Sequence, residues 1–230
     1  MSPAPVHDST TATALVWDWP LRAFHWSLVV AVAGSFATHY AGIEWFDWHR
    51  RCGYAVAVLV GFRVVWGFVG PRYSRFSSFL RGPGAMIQHL RGRQPYPTAG
   101  HNPLGAVSVL AFLVSLAMQA GTGLYANDEI ANAGPFYGWV TQATSNRLTS
   151  LHDLNSSILI ALVAAHLVAV AWYDWRRQLG LVRAFWTGRK SGAEGIRSSR
   201  GGLALLIVLV LTVALALAIR AAPEASISFF

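Results

Sequence analysis

Apolar residues in this chain gather into long runs separated by short polar stretches. Crossing the hydrocarbon of a bilayer takes roughly 20 mostly apolar residues, and five segments reach that length. The first runs from about Pro20 to Tyr40, with Pro20 suited to an early helical position. The second extends from about Arg51 to Val69 and stops before Pro71. The third begins at Asn102–Pro103, a capping residue followed by a first-turn proline, and reaches about Leu124. The fourth covers Thr149 to about Tyr173. The fifth, Leu203 to Ile219, is the most uniformly aliphatic and holds no charge, histidine or aromatic residue. The pattern predicts an all-α integral membrane protein.

Composition agrees. The chain is 54% hydrophobic and only 12% charged, with a mean hydropathy of +0.41, whereas soluble domains run at about a quarter charged residues. A net charge of +8 raises the question of nucleic acid. The basic residues, however, sit between apolar runs rather than on a polar face, so membrane lipid is the expected partner and nucleic acid is not. Cys52 is the only cysteine, which excludes an intrachain disulfide, a thiolate-held iron–sulfur cluster and covalent haem attachment. Ten Trp and seven Tyr, several at the ends of apolar runs, suit an interfacial belt. The polar stretch Met1 to Asp18 lacks a basic signal-peptide start, so the first run is expected to stay as an anchor.

Lys and Arg set an expected orientation. Arg72, Arg75, Arg81, Arg91 and Arg93 follow the second run, and Arg176, Arg177, Arg183, Arg189, Lys190, Arg197 and Arg200 follow the fourth. The other side carries only Arg50, Arg51, Arg147 and Arg220, with Glu44, Asp47, Asp128, Glu129 and Asp153. The positive-inside rule then places the N-terminus and both basic loops in the cytoplasm and the C-terminus outside. The basic loops are read as topology determinants and contacts to anionic lipid.

Five of the eight histidines, His25, His39, His49, His152 and His166, lie within or at the ends of apolar runs, where an ionisable group is costly and points to function. His152 and His166 are 14 residues apart, two heptads, so both face one seam of a bundle, about 21 Å apart along the axis. With the orientation above, His166 and His25 share the inner depth, and His152 and His49 the outer one. Two cross-helix pairs at two depths suit two stacked haems, each iron held by two imidazoles with no open position for oxygen or substrate. His39 lies 14 residues after His25 and reaches the outer side as well, so spacing leaves the outer ligand evenly divided between His39 and His49. A single intramembrane histidine can equally serve an interhelical hydrogen bond. No Cys or carboxylate cluster accompanies the histidines as a conventional metal site would require. His7, His89 and His101 fall in polar segments or at the membrane surface.

Several motifs then show a resemblance. Trp19-Pro20-Leu21-Arg22-Ala23-Phe24-His25-Trp26 resembles the opening of the bacterial cytochrome b561 and nickel–iron hydrogenase b-type cytochrome family. His49-Arg50-Arg51-Cys52-Gly53-Tyr54 with Phe62-Arg63-Val64-Val65-Trp66-Gly67 resembles its second helix, and His101-Asn102-Pro103-Leu104-Gly105 the start of its third. Leu151-His152-Asp153-Leu154 and Ala165-His166 resemble its fourth. The likeness spans roughly residues 16 to 190. It implies a four-helix transmembrane di-haem bundle over 19–175, binding two haem b through His25, His49, His152 and His166, and so favours His49 over His39. It also implies electron transfer in a respiratory chain of the inner membrane, between quinone and a periplasmic partner such as a c-type cytochrome. The fifth helix, within 203–220, lies outside the shared core, after the basic loop 176–202 and before the tail 221–230.

Other residues take secondary expectations. Arg63, the one charge deep in an apolar run, is read as a counter-charge to a propionate of the inner haem, with snorkelling to headgroups as its rival. Arg22 is expected to anchor the first helix at the interface. Gly34, Gly61, Gly105 and Gly121 are candidate close-approach points, and Phe24, Trp26 and Trp66 candidate flanks of a porphyrin, though belt or packing roles suit them too. The acidic outer loops suit a basic docking partner or the charge asymmetry alone. Other readings of the same core are the membrane subunit of a hydrogenase or similar dehydrogenase, and a self-contained quinone oxidoreductase reacting with superoxide or ferric iron. A haem-free transporter has no paired discontinuous helices in its favour.

Overall fold

The computed structural model describes residues 13–80, 84, 103–130, 132–176, 178–191 and 194–223. Five of its helices are long and apolar enough to cross a membrane. In chain order the helices are α1 (Trp19–Ala41), α2 (Phe46–Val69), the short α3 (Phe76–Phe79), α4 (Pro103–Gly123), α5 (Gln142–Arg176), the short α6 (Leu181–Thr187) and α7 (Gly201–Ala221). Their outward faces are apolar: Val30 is 72% exposed and Val168 69%. Such a surface is untenable in water and natural in lipid.

Local chemistry sets the helix ends. Asp18 caps α1, its carboxylate accepting from the Leu21 amide at 2.9 Å, and Pro20 sits in the first turn where its missing N–H costs nothing. Gly42, at φ 109°, ends α1 in a backbone conformation that side chains resist. Helix α2 stops at Gly70, just before Pro71. The fourth span differs from expectation. It begins at Gln142, seven residues before Thr149, and runs for 35 residues, about 52 Å, well beyond the roughly 30 Å of hydrocarbon. The added turns are polar, so hydropathy does not register them. They are held by the Thr141 hydroxyl, which accepts from the Thr144 amide at 3.3 Å. Asn127 also reaches across from the preceding loop, donating to Ser145 at 2.6 Å and Asn146 at 2.9 Å.

Two apolar clusters hold the helices together. Val16, Trp17, Leu21, Phe24, Phe62, Trp66 and Ala204 join the N-terminal segment to α1, α2 and α7. Ala31, Val56, Val60, Leu113, Leu116 and Leu159 join α1, α2, α4 and α5 at mid-depth. Gly201 lets α7 start directly against Trp19, where a Cβ would come within 2.6 Å of the indole. The fifth helix is thus an integral part of the bundle, packed on α2 and touching α1. Backbone packing is extensive between α1 and α2 and between α4 and α5, with α2 bridging to α4; α5 makes no comparable contact with α1 or α2.

The N-terminal segment and both basic regions meet at one end. Strand β1 (Thr13–Leu15) pairs antiparallel with β2 (Arg189–Ser191), Ala14 opposite Lys190. Arg72 bridges to Glu194 at 2.7 Å, and Arg200 donates to the Val69 carbonyl at 2.8 Å. Beneath this surface Asp18 is fully buried. It also accepts from Trp66 Nε1 at 3.2 Å and from the Ser74 hydroxyl, tying α1, α2 and the segment after α2 together. Asp18→Ala removes the cap and strands two buried donors. It is expected to cost about 2–3 kcal/mol, seen as a lowered Tm in detergent, whereas Asp153→Ala on the exposed face of α5 leaves Tm unchanged.

Candidate functional site

At the end of the bundle away from the basic loops, His49 in the first turn of α2 faces His152 on α5. Their ring centres are 6.3 Å apart and the planes lie at 78°. The His49 ring donates from Nδ1 to the Ser35 carbonyl at 2.9 Å, and the His152 ring from Nδ1 to the Gln119 carbonyl at 3.0 Å. A carbonyl oxygen can only accept, so Nδ1 carries the proton in both rings. In the neutral imidazole this leaves the lone pair on Nε2, the arrangement of a metal-binding histidine with an outer partner. Two further residues of α4 seat the His152 ring. Thr122 places its hydroxyl 3.3 Å from Nδ1. Gly123 leaves the space that a Cβ would take 2.8 Å from Cε1.

His39 is near but differently placed. Its ring lies 5.9 Å from that of His49 and 5.1 Å from Tyr40, and the residue is exposed, whereas His49 and His152 are half-buried.

At the other end lie His25 on α1 and His166 on α5, both half-buried. The His25 ring is held between Trp26 at 5.2 Å and Phe185 at 4.9 Å, and its Nδ1 is buried without a hydrogen-bond partner among the described residues. His166 meets the ring of Phe112 on α4 at 5.6 Å, edge to face. Phe185 belongs to α6, inside a stretch expected to be only a basic loop. Trp17 packs on it at 5.7 Å, and the Trp186 carbonyl accepts from Arg22 at 2.6 Å. No sequence signal marks Phe185, because its contact with His25 depends on how the loop folds back.

Arg63 does not snorkel. It is 2% exposed, both terminal nitrogens are buried without a hydrogen-bond partner among the described residues, and the guanidinium lies over Phe76 at 4.9 Å and Phe79 at 5.8 Å. Ring faces only partly offset the cost of a buried charge. Of the candidate porphyrin flanks, Trp26 touches His25, but Phe24 and Trp66 pack with Phe62 in the cluster shared with α7. Gly34 makes a close approach, with a Cβ there 3.0 Å from Cys52 Sγ. Gly61 meets Leu211 of α7 at ordinary distance, and Gly121 faces open space. Among the described residues no three His, Cys, Asp or Glu side chains converge. His7, His89 and His101 lie outside the described residues.

Half-buried histidines at both ends of an apolar helix bundle, with His49 and His152 facing each other at one of them, fit a class, the multi-pass membrane cytochromes of the b type. The family described as prokaryotic cytochrome b561 matches residues 16–188, and the chain belongs to it. The match covers α1 to α6 and ends before α7. No curated protein and no solved structure matches the chain. The family makes this a membrane cytochrome involved in electron transfer and implies haem b as its cofactor. Gly123→Ala forces the His152 ring to move and is expected to lower the haem-to-protein ratio. Gly121→Ala, with open space around it, leaves the ratio and the reduced-minus-oxidised spectrum unchanged.

Proposed function

We propose that the chain carries two haem b groups and moves electrons across the membrane between quinone and a periplasmic redox protein, such as a c-type cytochrome. His49 and His152 hold the outer haem, and His25 and His166 the inner one. The observation that carries this reading is the 6.3 Å between the rings of His49 and His152. An imidazole nitrogen binds a first-row metal at about 2.0–2.1 Å and lies about 1.1 Å from its ring centre, so two rings on opposite sides of one metal ion sit roughly 6.3 Å apart. Both Nδ1 atoms are already committed to carbonyls, which turns Nε2 to the task. The histidines of each pair also stand on helices whose backbones pack less closely with one another than α1 does with α2 or α4 with α5.

Haem b supplies a one-electron iron couple, and two protein ligands per iron leave no position for substrate. The protein's part is to fix the rings, exclude water and set the local charge. His25 presents its ring to the inner group with Nδ1 buried and held by no carbonyl among the described residues. Arg63, a buried cation whose terminal nitrogens have no hydrogen-bond partner among the described residues, supplies the counter-charge for a propionate there, with a planar donor set matched to a carboxylate. The positive-inside rule places the end with β1, β2 and the basic loops in the cytoplasm. Exposed Glu44, Asp47 and Asp153 then lie at the outer end with His49 and His152, and favour a basic electron-transfer partner.

Haem quantitation tests the assignment. The purified chain is expected to hold two low-spin haem b. His25→Ala and His166→Ala each remove the inner haem, His49→Ala and His152→Ala each remove the outer one, and His39→Ala keeps both. Loss of the outer haem in His39→Ala with retention in His49→Ala contradicts the assignment. Arg63→Gln is expected to lower the inner haem's midpoint potential, because a nearby cation favours the reduced iron, and to leave the outer one in place.

A further inference from the structure

A polar clamp sits directly beneath the outer histidine of α5, in a part of the bundle where apolar side chains would pack as well. Asn155 follows His152 by three residues, so the two share a face of the helix. It is only 1% exposed. Its amide donates to the Ser115 carbonyl at 2.9 Å and to the Gln119 side-chain oxygen at 2.6 Å, and its own oxygen accepts from the Ser115 hydroxyl at 2.8 Å. These three bonds lock α5 to two successive turns of α4. Polar side chains at this depth are costly, and hydrogen bonds between membrane helices contribute only modestly to association. Helix adhesion alone is therefore a weak reason for this trio.

The geometry points to a second role. Gln119, the residue whose side chain Asn155 grips, is the same residue whose carbonyl accepts the proton of His152 Nδ1 at 3.0 Å. Fixing Gln119 against α5 fixes that carbonyl under the ring, in the space Gly123 leaves open. We propose that Asn155 is a positioning residue for the outer haem, holding the Gln119 carbonyl on His152 and so keeping that haem's potential low. An imidazole whose N–H is held by a carbonyl is the more basic ligand, and a more basic ligand favours ferric over ferrous iron. The inner end has no counterpart among the described residues, since His25 Nδ1 is without a partner. The proposal rests on His152 being an axial ligand.

The test is a redox titration of purified holoprotein carrying Asn155→Leu, which keeps approximate size and removes all three bonds. Two haems per chain are expected, with the outer potential raised, the inner one unmoved and the outer haem lost to apomyoglobin about 10–100-fold faster, the range typical of lost outer partners. If Asn155→Leu does not fold, Gln119→Leu gives the reading instead. It removes the grip of Asn155 and keeps the backbone carbonyl, and a smaller upward shift confined to the outer haem is expected. An outer potential equal to wild type with both haems bound overturns the proposal, as does an equal shift of both haems, which marks general loosening. Retention of both haems in His152→Ala would instead overturn the ligand assignment on which the proposal rests.

Discussion

Where His49 meets His152 the structure turns on one constraint: in each ring the protein satisfies one nitrogen and leaves the other free to be offered. Lipid provides no water to accept a stray proton. At the outer end the backbone meets that constraint twice, with Ser35 and Gln119 lending helix carbonyls to His49 and His152. This choice fixes the ring orientations, and those orientations put the rings at the separation two ligands of one iron require. Much of the surrounding sequence serves it. Gly123 makes room, Thr122 adds a hydroxyl, and Asn155 with Ser115 ties α4 to α5 at that level.

The two ends of the bundle are built differently. The outer pair sits among backbone carbonyls and small residues. The inner pair sits among aromatic rings, with Trp26, Phe185 and Phe112 against the imidazoles and the buried cation of Arg63 on the neighbouring helix. If two haems bind as proposed, carbonyls on the ligands would favour oxidised iron at one and the Arg63 cation reduced iron at the other, so both differences would separate the two potentials in the same sense. The end with His25 and His166 has bracing of its own. There Asp18, Trp66 and Ser74 form a buried network beneath the β1–β2 pair, and α7 closes on Trp19.

Hydropathy made the five spans legible, because lipid demands long apolar runs whatever the tertiary detail. Heptad spacing likewise placed His152 and His166 on one seam. The early start of α5 was hidden, since Gln142 to Thr149 is polar and its helix depends on Thr141 and on Asn127 reaching from another segment. Spacing could not choose between His39 and His49, because both lie in the right register. What separates them is three-dimensional: His39 is exposed, and His49 has Ser35 behind it and His152 in front. Phe185 and the Asn155 clamp were invisible for the same reason. Phe24 and Trp66 were legible as aromatic residues near the seam, but their partners proved to be Phe62 and the apolar cluster with α7.

The chain belongs to the prokaryotic cytochrome b561 family, and the proposed reading has each of its irons held by two imidazoles. Electron paramagnetic resonance combined with near-infrared magnetic circular dichroism of the oxidised protein tests that claim most directly, because it reports the axial ligands of each iron without mutation. The account predicts two low-spin ferric haems per chain, both with bis-imidazole signatures. A high-spin iron, a methionine-ligated iron or a single haem in the intact protein would contradict it.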